Sequence, residues 1–290
     1  MKIPICPLCK SQDNKLFFSE RGYDLFACNV CELFFIDPYP TASDQVYNHV
    51  SNYSYDEIEI LDSKKRYCAE TLYYKKYMPL IAAECNGVTS ILDVGCGSGY
   101  LLKQLGILYP DTLRFGIELN KARAEMARKV SGCEIFQKPI EEISNHTKFD
   151  VITMINVLSH IPSFDTLFRS VQSLLQNNGK LILKVGEMKK DVKKNSVFDW
   201  EIPDHLHFLG FNTIDYICSK YNFKIRKHLR LPYSKELFSA DRWRSPGRSA
   251  FRNAIKKVVV HMPFALSILG AFYDLIYGRK MYSSFIVLSL

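Results

Sequence analysis

Three glycines at alternate positions constrain this chain more than any other feature. Gly95, Gly97 and Gly99 follow the apolar run Ser90-Ile-Leu-Asp-Val94 directly, and the helix-like segment 100–105 comes straight behind them. Residues without a Cβ allow a tight turn and let backbone N–H groups approach a ligand, and a helix start favours an anionic or polar group there. The stretch therefore reads as a buried strand, a ligand-binding turn and a helix, the setting of a nucleotide site. Beyond it, short apolar runs at 113–118, 149–157 and 180–185 alternate with helical patterns at 121–130 and 164–175. Such alternation predicts an α/β fold, a Rossmann-like parallel sheet covered on both faces. Residues 213–221 then read as a helix, 223–231 as a strand and 281–290 as a last strand.

The third glycine decides between nucleotides. A dinucleotide fingerprint, G-x-G-x-x-G, needs glycine at position 100, where this chain has Tyr100. The pattern present, D-x-G-x-G-x-G beginning at Asp93, resembles motif I of class I S-adenosylmethionine-dependent methyltransferases. Glu118, at the end of the next apolar run, suits a carboxylate that accepts from both ribose hydroxyls. Residues 149–161 resemble the family's fourth strand and the loop lining the methyl-transfer site, and 281–290 suits its final antiparallel strand. The resemblance implies S-adenosylmethionine as cofactor, contacted by Asp93, Gly95, Cys96, Gly97, Glu118, Leu119, Ile140 and Asn156. Two departures stand out. No acidic residue follows the third strand, which reads Phe136-Gln-Lys-Pro-Ile140, so the adenine contacts fall to backbone near Pro139 and Ile140. The Glu that often precedes the family's histidine is Ser159 here.

Cys6 and Cys9, then Cys28 and Cys31, form two C-x2-C pairs separated by 18 residues, the spacing of a four-thiolate zinc site. Such a shell has no open position, so the expected zinc is structural. The alternatives are two unrelated pairs of buried thiols or a redox pair, though neither pair opens a helix after a strand. Nine cysteines in all, with no secretory pattern at the start, fit a reducing, cytoplasmic setting.

For proton removal from an acceptor, the candidates are His205 first, then His207 and His160. In Asp204-His205-Leu-His207 the two imidazoles share one side of an extended segment. In the resembling enzymes a similar segment follows the fifth strand and faces the acceptor. Asn156 is followed by Val157-Leu158-Ser159 rather than the N-P-P-aromatic tetrad that grips an exocyclic amino group, which disfavours methylation of nucleic-acid bases. The layout is similar to methyltransferases of polysaccharide and secondary-metabolite biosynthesis and implies a small polar acceptor, a sugar or a biosynthetic intermediate, methylated at oxygen or carbon. Two competitors remain: an RNA methyltransferase that reads through its zinc ribbon, and an inactive cofactor-fold scaffold. Residues 1–40 carry four basic against five acidic side chains, a poor phosphate-binding surface.

The expected organisation is a zinc-ribbon segment at 1–40, a helical linker or cap at 41–87, the core at 88–234, a basic amphipathic helical insertion at 235–280 and the final strand at 281–290. The net charge of +8 is concentrated late in the chain, since residues 220–280 hold 14 Lys and Arg against three acidic residues. Three readings of that excess stay open: a solvated face covering the sheet, attraction of a nucleotide- or lipid-linked acceptor, and peripheral docking of residues 242–277 on a membrane surface. The uncharged stretch 258–273 is too short for a spanning helix.

Overall fold

The computed structural model describes residues 3–40, 74, 76–144, 146–196, 200–239, 243, 258–262 and 264–290. Most of the stretch 41–87 and nearly all of the basic run 242–257 lie outside these. Near the N-terminus, β1 (Asn14–Glu20) and β2 (Tyr23–Cys28) form a hairpin. Its turn residues Arg21 and Gly22 have φ of 54° and 83°, the left-handed pair that matches strand twist in a two-residue turn. β3 (Phe34–Asp37) adds antiparallel to β2.

Residues 76–85 form helix α1. β4 (Ser90–Val94), buried at every position, then leads into α2 (Tyr100–Leu108), and β5 (Leu113–Ile117) into α3 (Lys121–Ser131). β6 (Glu134–Phe136), β7 (Phe149–Ile155), α4 (Phe164–Leu174) and β8 (Leu175–Met188) follow. The chain closes with β9 (His207–Gly210), α5 (Thr213–Lys220), β10 (Lys224–Pro232), α6 (Tyr233–Leu237), α7 (Ala265–Tyr277) and β11 (Met281–Ser289). Strands β6-β5-β4-β7-β8 are parallel in that order, and β11 pairs antiparallel with β8 and with β10. The order reverses direction between β4 and β7, so the crevice beyond their carboxyl ends is where a ligand binds in an open α/β sheet.

The core follows from the apolar spacing. On α4, capped by the Ser163 hydroxyl accepting from the Thr166 N–H, the buried residues are Phe164, Leu167, Phe168, Val171 and Leu174, one helical stripe laid on the sheet. Each such side chain contributes about 1.5–3 kcal/mol by leaving water.

β8 runs three residues past the apolar segment that ends at Val185. The extension exists because Glu187 and Met188 gain a second partner strand, pairing with Leu209 and Gly210 of β9 as well as with β11. β9 in turn pairs with β3, so the cysteine-bearing strands and the parallel strands form one sheet. Helix α5 fastens the join: the Thr213 hydroxyl donates to the Cys31 carbonyl at 2.9 Å and Lys220 Nζ to the Leu8 carbonyl at 2.8 Å.

Candidate active site and metal centre

The four N-terminal cysteines converge. Cys6 Sγ lies 3.6 Å from Cys31 Sγ and Cys9 Sγ 3.4 Å from Cys28 Sγ, and all four sulfurs are within 4.8 Å of one another as free thiols. Tetrahedral zinc with bonds of about 2.3 Å sets its sulfurs about 3.8 Å apart, so the donor set fits that ion. A hydrogen bond from Cys31 brings the Cys6 thiol down to about 5, while the same bond, with burial, raises Cys31. Thiolates this close disfavour one another, a cost that a dication removes.

At the other site, the N–H groups of Gly95 and Cys96 both donate to the Ile117 carbonyl, folding the glycine loop back over β5. Gly95, Gly97 and Gly99 all have positive φ. A Cβ on Gly99 would stand 2.8 Å from the Ala127 carbonyl oxygen, so this glycine lets α3 approach the start of α2. A Cβ on Gly95 would meet Val157 at 2.5 Å, which places the loop after β7 against the glycine turn. Cys96 is packed inward, where a Cβ on Gly116 would press on its sulfur, and burial raises its thiol far above the ordinary range. Its side chain is part of the packing, and only its backbone faces the loop's work.

Glu118, 8% exposed, stands at the end of β5 and ties the loop down, accepting from the Gly97 N–H at 3.1 Å through Oε2 and from the Asn120 N–H at 3.0 Å through Oε1. A carboxylate offers about four lone-pair sites, so capacity remains for two ribose hydroxyls. Asp93, buried at the end of β4, accepts from the Thr153 hydroxyl at 2.6 Å. Leu119 is exposed beside Glu118, an apolar surface suited to a purine face, whereas Ile140 is buried and offers backbone rather than side chain. The residues present therefore fit a nucleoside cofactor.

Asn156 follows β7 with a left-handed φ of 58°. Its N–H donates to the Lys184 carbonyl and its Oδ1 accepts from Lys184 Nζ, both at 2.9 Å. Lys184 is itself buried and lies 3.4 Å from Glu236 Oε1, while Tyr77 donates to Glu236 Oε2 at 2.9 Å and shares a 2.7 Å hydrogen bond with Ser283. Burial works to raise the Glu236 carboxyl, but Lys184, Ser283 and Tyr77 outweigh it and hold it below the usual range. Sequence reasoning missed this network. Its signal was a lysine in the middle of the apolar run 180–185.

The histidines divide. His207 and His205 do not share a side of one strand, because β9 begins only at His207. His207 is fully buried, its ring against Phe164, with Nε2 contacting the Ile161 carbonyl at 3.0 Å and the Tyr39 hydroxyl at 2.8 Å. Burial drives its pKa down to about 3, so it is a neutral residue of the core. His205 instead faces His160, with ring centroids 4.7 Å apart. The Leu206 N–H donates to the Ser159 carbonyl at 2.8 Å and draws the two loops together. His160 Nδ1 contacts the Asp204 carbonyl at 2.9 Å and His205 Nδ1 the Trp200 carbonyl at 3.3 Å. A carbonyl can only accept, so each Nδ1 carries a proton, and on the other side of the His205 ring Nε2 lies 3.6 Å from Glu201 Oε2. The ligand atoms of His160, Asp204 and His205 all lie within 4.8 Å of one another. Asp204 was another residue the sequence reading left without a role.

The strand order, the glycine turn and the strand-end carboxylate define a Rossmann-like cofactor-binding protein with a methyltransferase sheet. The profile of the Methyltransferase domain family matches residues 64–228, more than half of the chain, and the chain belongs to that family. S-adenosylmethionine is the methyl donor the family implies. Among curated proteins, the chain is 33% identical over 117 residues to a ubiquinone biosynthesis O-methyltransferase of Pasteurella multocida, covering 34% of this chain and 48% of that one. It is 31% identical over 97 residues to a malonyl-[acyl-carrier protein] O-methyltransferase of Legionella pneumophila, covering 32% and 34%. The matched part thus spans half or less of these relatives. The O-methyltransferase of a trans-AT PKS multienzyme of Brevibacillus brevis, solved with S-adenosyl-L-homocysteine, superposes with a TM-score of 0.51 at 18% identity over 81% of this chain and 80% of that one. At that identity the likeness concerns the fold.

Proposed function

We propose that the protein transfers the methyl group of S-adenosylmethionine to a small polar acceptor, a sugar or another biosynthetic intermediate, at oxygen or carbon. The observation that carries this reading is the His160–His205 pair, whose rings are set facing each other by carbonyls on their Nδ1 atoms. It stands on the loop whose Val157 packs against the glycine turn. When bound, the cofactor supplies an electrophilic methyl on a sulfonium with a good leaving group, so the protein needs alignment and a proton acceptor rather than a nucleophile of its own. Glu118 would hold the ribose, the Gly95–Gly97 turn and Asp93 would take the amino-acid end, Leu119 would offer an apolar surface to the base, and Asn156, oriented by Lys184, would border the acceptor. His205 takes the acceptor's proton at Nε2, with His160 beside it. That the relatives are O-methyltransferases supports an acceptor oxygen.

In the same reading one structural zinc sits among Cys6, Cys9, Cys28 and Cys31. Its part in catalysis is indirect. The hairpin it anchors reaches the acceptor loop through Arg21, which donates to the Ile202 carbonyl at 3.1 Å, and through Phe17 and Phe18, which pack on Trp200. A direct test supplies methyl-labelled S-adenosylmethionine with a panel of hydroxylated sugars and sugar nucleotides and follows S-adenosylhomocysteine release. Acceptor-dependent release supports the proposal. Release with RNA and with none of the small acceptors would move the reading to the zinc-ribbon RNA enzyme.

A further inference from the structure

Helix α7 is turned the wrong way for a protein surrounded only by water. At 100° per residue, Phe264, Ile268, Leu269, Phe272, Leu275 and Ile276 fall within an arc of roughly 140°. Every one of them is exposed, from 36% at Leu269 to 80% at Leu275. Tyr273, just past the edge of that arc, is the helix's buried residue, its ring 5.8 Å from that of Phe238. Asp274 is the only charge in the helix and is taken up by Arg279 at 2.8 Å, so the outward arc carries no charge at all. Contiguous apolar surface of this kind marks an interaction site.

The charge beside it says with what. Residues 242–262 contain six Lys and Arg and no Asp or Glu, and they lead straight into α7. We propose that α7 docks on the surface of an anionic lipid bilayer, its apolar arc set among the acyl chains, with the positive charge that precedes it in the sequence attracting the headgroups. A second copy of this chain is a poor occupant of the same face. Two copies of the chain each bring the same net positive charge, and like charges oppose their association. The docking is peripheral, since no helix among the described residues is long and apolar enough to cross a membrane.

The placement gives the docking a purpose. Gly270 of α7 lies on α6, where an added Cβ would stand 3.7 Å from Phe238 and 3.9 Å from the Ser234 carbonyl. Glu236 of α6 pairs with Lys184, which holds Asn156 at the strand end. The lipid-facing helix therefore packs on the elements that border the acceptor, and an acceptor carried on a lipid would arrive at that end of the sheet.

Sedimentation of the full, zinc-loaded chain with vesicles tests this without any methyl transfer. Phosphatidylcholine vesicles are compared with vesicles that also contain phosphatidylglycerol, at low and high salt. The expected result is binding to the anionic vesicles only, weakened by salt, and reduced about tenfold or more in Phe272→Ser/Leu275→Ser. Both side chains are exposed, so this variant keeps its melting temperature and its affinity for S-adenosylmethionine. Absence of an anionic preference, or a double variant that binds as well as wild type, overturns the proposal. So does a dimer in light scattering that the double variant abolishes, since the face would then belong to a second copy.

Discussion

Glu187 is a carboxylate with no exposed side-chain surface, yet it is surrounded by donors. His228 Nε2 lies 2.8 Å away, Arg230 reaches both oxygens at 3.0 Å, and the Ser284 hydroxyl donates as well. Burial pushes its pKa up, but His228, Arg230 and Ser284 together outweigh that and hold it below the usual range. A carboxylate depressed in the folded state contributes stability above its unfolded pKa of about 4.3 and loses it as pH falls. Glu187→Gln should therefore cost roughly 3 kcal/mol at neutral pH, the order expected when one partner leaves a buried ion pair. Denaturant unfolding should show the gap to wild type narrowing on acidification through about pH 4. A gap independent of pH would mean that charge is not what Glu187 contributes. His205 makes a different kind of claim. His205→Ala should lower turnover far more than cofactor affinity, and wild-type activity should fall on the acid side, where a base is protonated. Normal turnover in that variant would leave His205 a structural role and the reaction to alignment alone.

At the scale of elements, the cysteine hairpin and the acceptor loop are mechanically joined. β3 pairs with β9, Arg21 holds the Ile202 carbonyl, and Trp200, whose carbonyl orients His205, packs on both Phe17 and Phe18. Metal analysis should find one zinc per chain, and Cys28→Ser should lose it together with stability, since a closed thiolate site contributes folding energy. Because Glu118 and the glycine turn lie across β9, β8 and β7 from β3, zinc loss should damage turnover before it damages S-adenosylmethionine binding. Unchanged metal content in Cys28→Ser would remove the zinc assignment. The four-cysteine cluster was legible because C-x2-C spacing is local, and so was the glycine turn, where positive φ at three positions leaves a mark in the sequence. Strand β9 was not legible. Four residues, His207–Gly210, owe their extended state to Glu187 and Met188 on one side and to Phe34 and Phe35 on the other, and neither partner is near in sequence. That long-range pairing is also why the alternation His205-Leu-His207 misled: the segment is extended only from its second histidine onward.

The described residues build one sheet that carries a four-cysteine hairpin at one end, a glycine turn near its middle and, over α6, an apolar helix. The alternating texture of strands and helices, the Asp93-to-Gly99 loop and Glu118 were readable because each rests on hydrophobic period or glycine conformation. The buried Lys184–Glu236–Tyr77 network was not, since it joins β8, α6 and α1 through side chains whose sequence neighbours say nothing of one another. The central claim, that this sheet binds S-adenosylmethionine through the glycine turn and Glu118, is tested most directly by titration calorimetry. Wild type should bind S-adenosylmethionine one to one, and Glu118→Ala, which loses charge-assisted hydrogen bonds of about 1.5–3 kcal/mol, should bind about ten- to a hundredfold more weakly. No heat of binding in wild type, or equal affinity in Glu118→Ala, would contradict it.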